Sequence, residues 1–257
     1  MEDREPQTAL KRAAALLRQA RYAVALTGAG SSTPSGIPDF RTPGKGLWEK
    51  DDPMEVASIY AFRRNPEAFY LWVRPLIHIM RSAQPNPAHL ALARLEAAGR
   101  LKVVLTQNID GLHQRAGSRH VLELHGHLRT VTCLDCFQNR PAEEVLEAIE
   151  RREVPRCPAC GGVLKPDVIL FGEQLHADVL TSAMEHVHRA DLMLVVGSSL
   201  LVMPAANLPA LVHANGGEII ICNKQTTYAD AFAVAVFHGD AAQVLPRLTQ
   251  ACLEESQ

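Results

Sequence analysis

The sequence predicts an α/β fold in which a parallel sheet is covered by helices on both faces. Short apolar runs alternate with segments of helical periodicity, the pattern of parallel strands joined by crossover helices. The chain has 257 residues, 47% apolar and 21% charged, which is enough to bury one sizeable core. Ligands of such sheets bind beyond the carboxyl ends of the strands. The loops at that edge are therefore the first place to look for function.

The elements follow in order along the chain. "TALKRAAALLRQA" is a helix that leads into the strand "YAVALT". "NPAHLALARLEAAG" has Asn86 as its N-cap, Pro87 at the first helical position and Gly99 just past its end, and "LKVVLTQ" is the next strand. "EIIICN" is a strand that follows the helix containing "LPALVHA". Four polar loops result: "GAGSS", "QNIDGLH", "GSSL" and "CNKQTT".

Residues 192–217 contain no Asp, Glu, Lys or Arg, a length sufficient to span a bilayer. Glycine, serine, proline and asparagine divide this segment, so we predict a buried strand, a turn and a helix instead. The acidic N-terminus lacks the features of a secretory signal. We therefore expect a cytoplasmic protein without a membrane partner. The net charge of −2 provides no overall basic field, so a large nucleic-acid footprint is not indicated.

The segment "GAGSSTPSGIPDFR", residues 28–41, begins like a dinucleotide-binding turn. Its G-x-G follows a strand, but Thr33 occupies the place of the third glycine. The following "RTPGKGLWEKDD" is not the second strand that an ordinary dehydrogenase requires. Taken alone, the segment is also consistent with a Gly/Pro-rich connector that binds no ligand.

The cysteine spacing is more specific. Two C-x-x-C pairs separated by twenty residues predict a zinc site with four thiolate ligands, Cys133, Cys136, Cys157 and Cys160. Four protein ligands leave no place for an activated water, so the metal is expected to be structural. Cys222 is interpreted as a buried apolar residue and Cys252 as a bystander.

The ordered motifs "GAGSSTPSGIPDFR", "GLW", "TQNIDGLH", "LHGH", CxxC…CxxC, "FGE", "GSSL" and "CN" closely resemble those of bacterial-type sirtuins, NAD-dependent protein lysine deacylases. The resemblance covers about residues 20–245. It implies a Rossmann-like domain formed by residues 1–44, 85–126 and 164–257, a helical segment at 45–84 and an inserted zinc-binding module at 127–163. It also implies NAD as co-substrate, with nicotinamide and 2′-O-acyl-ADP-ribose as products.

The resemblance assigns roles to individual residues. His125, in "ELHGH", would be the general base that takes a proton from a ribose hydroxyl, with His113 and His127 as bystanders. Departure of nicotinamide would resemble glycoside cleavage. The implied cofactor-binding residues are Ala29, Thr33, Phe40, Arg41, Gln107, Asn108, Ile109, Asp110, Ser198, Ser199, Asn223, Lys224 and Asp240.

For the peptide, "VILFGEQL" and "LLVMP" are expected to be two strand-like edges that clamp an extended substrate. Ile169 and Phe171 would flank the acyl-lysine tunnel and Val202 would lie on the second edge, although plain core packing is the alternative for all three.

The expected preference for one class of acyl group rests on a residue pair that this sequence lacks. Sirtuins that prefer malonyl- or succinyl-lysine carry Tyr-x-x-Arg, and here Val73 and Leu76 stand at those places. Arg74 should point elsewhere on the helix, provided that Pro75 does not shift the register. We therefore expect proteins or peptides carrying acetyl-lysine or another uncharged acyl-lysine as substrates, acted on by a monomer.

Two departures and two alternatives accompany this interpretation. Ser31 replaces a usual apolar residue, and "CNKQTT" differs from the usual apolar-Asn-apolar pattern. The same bond cleavage could serve a protein mono-ADP-ribosyltransferase. A non-enzymatic zinc ribbon that binds nucleic acid is the other alternative, supported by Lys102, Arg129, Arg140, Arg151, Arg152 and Arg156, which is more simply a solvated face.

Overall fold

The computed structural model describes residues 4–42, 44 and 46–254. Its larger sheet has six parallel strands in the order β3-β2-β1-β7-β8-β9. The strands of this sheet are β1 Ala23–Thr27, β2 Val103–Thr106, β3 Val121–Glu123, β7 Leu192–Val196, β8 Glu218–Cys222 and β9 Ala235–Phe237. The predicted parallel sheet is confirmed.

The helices of the described residues are α1 Arg4–Gln19, α2 Pro53–Val56, α3 Ile59–Arg64, α4 Pro66–Ser82, α5 Pro87–Ala97, α6 Leu112–Arg115, α7 Leu146–Glu150, α8 Ala177–Arg189, α9 Leu208–Ala214 and α10 Ala241–Leu253. Asn86 caps α5 through its side chain, Pro87 is the first helical residue and Gly99 takes a φ of 73° after the end. These three sequence-based expectations are confirmed. No helix of the described residues is long and apolar enough to cross a membrane.

Strand residues alternate between two core layers. Ala25 packs with Leu17, Leu92 and Leu245 from α1, α5 and α10, on one face of the sheet. Leu26 faces the opposite layer, which includes α8 and α9. Because both faces are covered, the strands are fully buried and apolar rather than alternating in polarity.

The order of the large sheet reverses between β1 and β7. The chain builds outward from β1 to β3 and then returns to the other side of β1. A crevice forms beyond the carboxyl ends of the strands where such a reversal occurs. The loops after β1, β2, β7 and β8 are the four polar loops of the sequence, so the fold brings them to one edge.

A smaller antiparallel sheet has the order β5-β4-β6, with β4 at Gly126–Cys133, β5 at Asn139–Pro141 and β6 at Leu164–Val168. Since β6 pairs with β4, the small sheet continues past the expected boundary after residue 163. Its core includes α3 and α4, and the Tyr70 hydroxyl donates to the Leu164 carbonyl at 2.5 Å. Burial raises the pKa of Tyr70, which therefore remains a neutral donor. Pro43 and Lys45, near the other expected boundary, lie outside the described residues.

Candidate active site and metal centre

A cleft of about 740 Å³ lies at the carboxyl edge of the large sheet. The loops after β1, β2, β7 and β8 form one side, and a face of α4 together with the segment after β6 forms the other. Its size falls within the range of small-molecule sites. Of the residues expected to bind cofactor or peptide, Asp240 is absent from the lining, and the others line the cleft.

The glycine-rich loop after β1 forms two short 3₁₀ turns, Ala29–Ser31 and Thr33–Ser35, instead of a helix. A Cβ on Gly30 would lie 2.9 Å from the Gly197 backbone. Glycine is therefore required here by the close approach of the β1 and β7 loops. Thr33, at the place of the third glycine, donates from its hydroxyl to the Gly30 carbonyl at 3.2 Å. The chain thus turns across the cleft and lines it instead of leaving it as a helix.

The floor of the cleft is a dense hydrogen-bond network around Asn108. Its amide nitrogen donates to the Gly28 carbonyl at 3.1 Å and contacts the hydroxyls of Ser31 and Ser32 at 3.2 and 3.0 Å. The Ser32 hydroxyl donates to the Asp110 carboxylate at 2.7 Å. Ser32 was not among the expected site residues, and its place in "GAGSS" is the only sequence signal that it carries. Ser31, a departure from the usual pattern, takes part in the same network.

Two buried histidines support this floor. Burial lowers the pKa of His89 to about 4 and that of His113 to about 3, so both rings are neutral at pH 7. His89 accepts the Asn86 backbone N–H at Nδ1, and its Nε2 lies 3.3 Å from the Ser32 hydroxyl. His113 Nε2 lies 2.9 Å from the Thr27 hydroxyl. His113 is therefore a packed, hydrogen-bonded residue of the interior.

His125 presents one ring nitrogen to the cleft. Its Nδ1 lies 3.0 Å from the Gln107 carbonyl, which only accepts, so Nδ1 carries the proton. Nε2 is then a bare acceptor, and it is buried without a partner among the described residues. Burial lowers the pKa of His125, partly offset by the bond to Gln107. The ring is consequently a neutral base at pH 7.

The glycine after His125 lets β4 and β6 approach each other. Gly126 has a φ of 74°, and a Cβ there would lie 2.0 Å from the Asp167 carbonyl. On the other side of this glycine, the Ile169 N–H donates to the His125 carbonyl at 2.8 Å. The "HGH" motif thus joins the base to the segment after β6. His127 follows on β4 but is not part of the cleft lining.

The Arg41 guanidinium lines the cleft beside Phe40. It forms no ion pair with an acidic side chain of the described residues. Burial lowers its pKa from the ordinary value, although it remains a cation at pH 7. A half-buried cation without a partner is suited to an anionic ligand.

The far end of the cleft belongs to the loops after β7 and β8. The Ser198 hydroxyl donates to Gln107 Oε1 at 2.9 Å, and Gln107 Nε2 is buried with no hydrogen-bond partner in the part of the chain that the structure describes. Asn223 donates to the Gln225 carbonyl at 2.7 Å. Asp240 pairs with Lys224 at 2.8 Å and caps α10. The structure therefore connects Asp240 to the cleft through Lys224.

The other half of the cleft is apolar. Five residues on one face of α4 line it, Phe69, Trp72, Val73, Leu76 and Met80. The Trp72 indole N–H is already used by the Asp51 carboxylate, at 3.1 Å. Because α4 continues through Pro75 to Ser82, the expected helical register holds. Arg74 lies instead in a separate surface depression with Leu71 and Arg152.

One expected peptide edge is a strand only in part, and the other is not a strand. The Phe171 backbone forms a parallel bridge with Ser58 just beyond β6. The expected edge "LLVMP" is wrong as a strand in this structure: Leu200 takes a φ of 53° and the chain turns at 202–204 into a 3₁₀ helix at Ala205–Asn207. Backbone that turns in this way cannot present an extended ladder. Val202 nevertheless lines the cleft.

The four predicted zinc ligands converge at the tip of the small sheet. Their sulfurs lie within 4.8 Å of one another, with Cys133 and Cys160 3.5 Å apart and Cys136 and Cys157 3.7 Å apart. Four thiolates at the usual Zn–S distance stand about 3.8 Å apart in a tetrahedron, so the donor set fits zinc. All four are free thiols rather than disulfides. Cys222 and Cys252 are buried in the core of the large sheet.

Three of the six residues of the suggested basic face are paired with carboxylates. Arg129 pairs with Glu123, Arg140 with Glu144, and Arg151 with both Glu147 and Glu153. A guanidinium held by a carboxylate contributes little to a field that attracts phosphates. These pairs argue against a nucleic-acid interface on the zinc-binding module.

Known proteins are similar to this chain in both sequence and fold. A family model of the Sir2 family matches residues 28–204. NAD-dependent protein deacylase 2 of Archaeoglobus fulgidus is 47% identical over 242 residues, covering 94% of this chain and 95% of that protein. NAD-dependent protein deacetylase of Thermotoga maritima is 43% identical, with 91% and 95% covered.

Two solved structures illustrate the similarity in three dimensions. One, described as "Structural Basis for the Mechanism and Regulation of Sir2 Enzymes", has a TM-score of 0.91 at 46% identity and covers 96% of this chain and 98% of its own. Another, "Sir2-p53 peptide-NAD+", has a TM-score of 0.87 at 41% identity and covers 94% of this chain and 97% of its own.

Proposed function

Because the chain belongs to the Sir2 family, we propose that it is an NAD-dependent protein-lysine deacylase that releases nicotinamide and 2′-O-acyl-ADP-ribose. The observation that carries the proposal is His125, a neutral base whose bare Nε2 is buried without a partner in the cleft. The relatives are named as deacylases and deacetylases, and one solved relative is described with a peptide and NAD⁺.

The polar half of the cleft fits NAD as co-substrate. Arg41, which has no acidic partner among the described residues, is assigned to the phosphates; Gln107 Nε2, which is also unpaired among them, is assigned to the nicotinamide end together with the Asp110 carboxylate, which the Ser32 hydroxyl holds in place. When bound, NAD would supply a ribose carbon that becomes electrophilic as the nicotinamide bond breaks. We assign the adenosine half to the loops after β7 and β8, through Ser198, Ser199, Asn223 and Lys224.

In this assignment His125 takes a proton from a ribose hydroxyl at Nε2, while its Nδ1–H stays on the Gln107 carbonyl. That bond fixes the tautomer and the plane of the ring. Asn108, Ser32 and Asp110 hold one another by hydrogen bonds, so the nicotinamide end meets groups whose positions are already set. Apolar side chains of the other half exclude water from the same space.

The acyl-lysine peptide belongs to the segment after β6. Ile169 and Phe171 line the cleft, and the Ile169 carbonyl accepts no hydrogen bond from the described residues. The nearby N–H groups are already paired: the Ile169 N–H donates to the His125 carbonyl, and the Phe171 N–H donates to the Ala57 carbonyl. The free carbonyl is an acceptor for a peptide donor. We place Val202 on the opposite side of that peptide.

The apolar face of α4 favours acetyl and other uncharged acyl groups. Val73 and Leu76 offer no donor to an acyl carboxylate, and Arg74 is on another surface. The same wall favours deacylation over mono-ADP-ribosyl transfer, because a transferase has no use for a tunnel beside the reacting ribose. Zinc on the four cysteines would hold the tip of the small sheet together without taking part in chemistry.

We further propose that residues 46–84 together with the small sheet form one lobe and the large sheet the other; Lys45, the first residue of the expected segment 45–84, lies outside the described residues. Cytoplasmic location and a monomeric state stay predictions.

The test is to incubate the protein with NAD and either an acetyl-lysine peptide or its unmodified counterpart, and to measure nicotinamide and peptide mass. Deacylation requires nicotinamide release that depends on the acetyl peptide, with one acetyl group lost per nicotinamide. Release without the acetyl peptide, with ADP-ribose attached to protein, would instead establish a transferase. A shift of nucleic acid in a gel-mobility assay, without any turnover of NAD, would instead support the nucleic-acid-binding alternative.

A further inference from the structure

Among the described residues, Lys165 is the most buried Asp, Glu, Lys or Arg when the whole residue is considered, with 8% of it exposed. It lies on β6, opposite Thr132 of β4. Burying an ammonium group is expensive unless its donors are satisfied and its charge is paired. The contacts of the Lys165 ammonium group must therefore compensate for that cost.

All three donors of Lys165 are used. Its Nζ donates to the Val168 carbonyl at 2.7 Å and to the Pro166 carbonyl at 3.1 Å, and it lies 3.0 Å from Glu173 Oε2. A lysine has three N–H donors. Two of them thus hold the main chain of residues 166–168, and the third is paired with a carboxylate.

Glu173 completes the arrangement from the other side. Its Oε2 accepts the Leu170 N–H at 2.8 Å, and its own N–H donates to the Leu170 carbonyl at 3.0 Å. Within the segment 168–171, the Lys165–Glu173 pair therefore fixes the Val168 carbonyl on one side and the Leu170 N–H on the other. Ile169 lies between them, and its carbonyl accepts no hydrogen bond from any residue that the structure describes.

We infer that the Lys165–Glu173 pair positions the acyl-peptide edge of the cleft. This inference rests on the proposed function, because the edge it holds is the one assigned to the peptide. Satisfying Val168 and Leu170 internally leaves Ile169 as the acceptor for substrate. Neither charged group contacts the acyl-lysine or NAD in this role; both act through the backbone that they hold. The pair also joins the edge to β6, the strand that leads back to the zinc ligands.

The decisive variant is Lys165→Met, which keeps much of the side-chain volume and removes every donor. We expect the KM for an acetyl-lysine peptide to rise about tenfold or more, since tenfold corresponds to the 1.4 kcal/mol of a single lost hydrogen bond to a charged group. The KM for NAD should change less than about twofold, because the polar half of the cleft is untouched. Peptide affinity measured by calorimetry without NAD should fall in parallel.

A double variant separates positioning from simple stability. Removing one partner of a buried pair is costly, whereas removing both is often tolerated. Lys165→Met/Glu173→Gln should therefore recover melting temperature relative to Lys165→Met, but it should not recover the peptide KM, because nothing then holds the Val168 carbonyl. Arg140→Met, which breaks the exposed Arg140–Glu144 pair of the same sheet, is the matched control and should leave both KM values unchanged.

The zinc content of every variant is measured first and should be one per chain, so that loss of the module is not mistaken for loss of positioning. Unchanged peptide affinity in folded, zinc-loaded Lys165→Met would overturn the inference. So would a double variant whose peptide KM recovers together with its melting temperature. Absence of acetyl-dependent turnover in the unmodified protein would instead refute the proposed function.

Discussion

The two halves of the cleft are built in opposite ways. The half formed by the large sheet is polar, and its groups hold one another: Asn108, Ser32 and Asp110 share hydrogen bonds that leave little freedom. The half formed by α4 is an apolar wall. A polar group acts through its exact direction, so the first half depends on particular residues. An apolar wall acts through its shape and through its lack of hydrogen-bond donors, so several different apolar residues could form it.

The halves also differ in what supports them. The polar half lies on parallel strands buried between two helical layers. The peptide edge follows a strand of the small sheet, whose tip is gathered by four cysteines. The metal should consequently matter to one half more than to the other, and that expectation gives the strongest test of the comparison.

Removing zinc should abolish deacylation while NAD or ADP-ribose binding survives. Structural zinc contributes on the order of 10 kcal/mol to the fold of a small module, and β4 and β6 join that module to the peptide edge. Chelation and Cys133→Ser should each lower zinc below one per chain, with activity falling to background. Nucleotide binding by calorimetry should stay within about threefold, because the large sheet keeps its own core. Cys252→Ser is the control for loss of a buried thiol. Full activity in metal-free protein would contradict the difference between the halves.

His125→Ala should lower kcat by about 10²-fold or more, the usual reach of a general base. The fold and NAD binding should be retained, because within the described residues the imidazole makes one hydrogen bond, to the Gln107 carbonyl. His127→Ala is a matched control two residues along β4, outside the cleft lining, and should change kcat less than about threefold. Similar losses in both variants would show that chemistry does not depend on the bare Nε2.

The polar half is also the one that the sequence predicts well. Strand ends are marked by apolar runs followed by polar loops, so Gln107, Asn108, Asp110 and Ser198 could be placed at one edge before any contact was known. Cysteine spacing predicted the metal ligands because tetrahedral zinc imposes a local geometry. Ser32 lies in one of these polar loops, but the sequence does not reveal its partners, and His89 carries no such signal. Their roles arise from contacts between loops distant in sequence, such as the 3.3 Å approach of His89 to Ser32.

The apolar half was harder to predict for a physical reason. Its wall depends on the register of α4 through Pro75, and a proline inside a helix often breaks or kinks it. Here the helix continues to Ser82. The short strands of the small sheet leave little periodicity to detect, and β6 pairs with β4 from across the boundary that the resemblance implied after residue 163. The strand-like edge expected at "LLVMP" rested on the family resemblance, and the chain instead turns there with Leu201 and Met203 exposed.

The acyl preference tests the wall directly. We expect acetyl-lysine to be turned over at least about tenfold better than succinyl-lysine, since an unpaired carboxylate in an apolar tunnel costs several kcal/mol. Val73→Tyr/Leu76→Arg should narrow or reverse that ratio by supplying donors on the face of α4 that lines the cleft. Arg74→Ala, on the separate surface, should leave the ratio unchanged. Faster turnover of succinyl-lysine by the unmodified protein would show that the acyl pocket lies elsewhere.

The smallest expected effect is on the pH profile. Burial lowers the pKa of His125 below its ordinary value of 6.5, and the neutral ring is the active form. The acid limb of kcat/KM should therefore begin below pH 6.5 and fall about tenfold per unit once His125 is protonated. His89 and His113 limit the pH range over which the folded protein is stable. Their pKa values in the folded protein are about 4 and about 3, so the unfolded chain binds more protons than the folded one below pH 6.5. Stability should thus fall as the pH is lowered from 6.5 toward 4. Melting temperature measured at each pH separates this loss from titration of the base, and an acid limb centred above pH 6.5 in fully folded protein would show that a group other than the buried His125 controls the reaction.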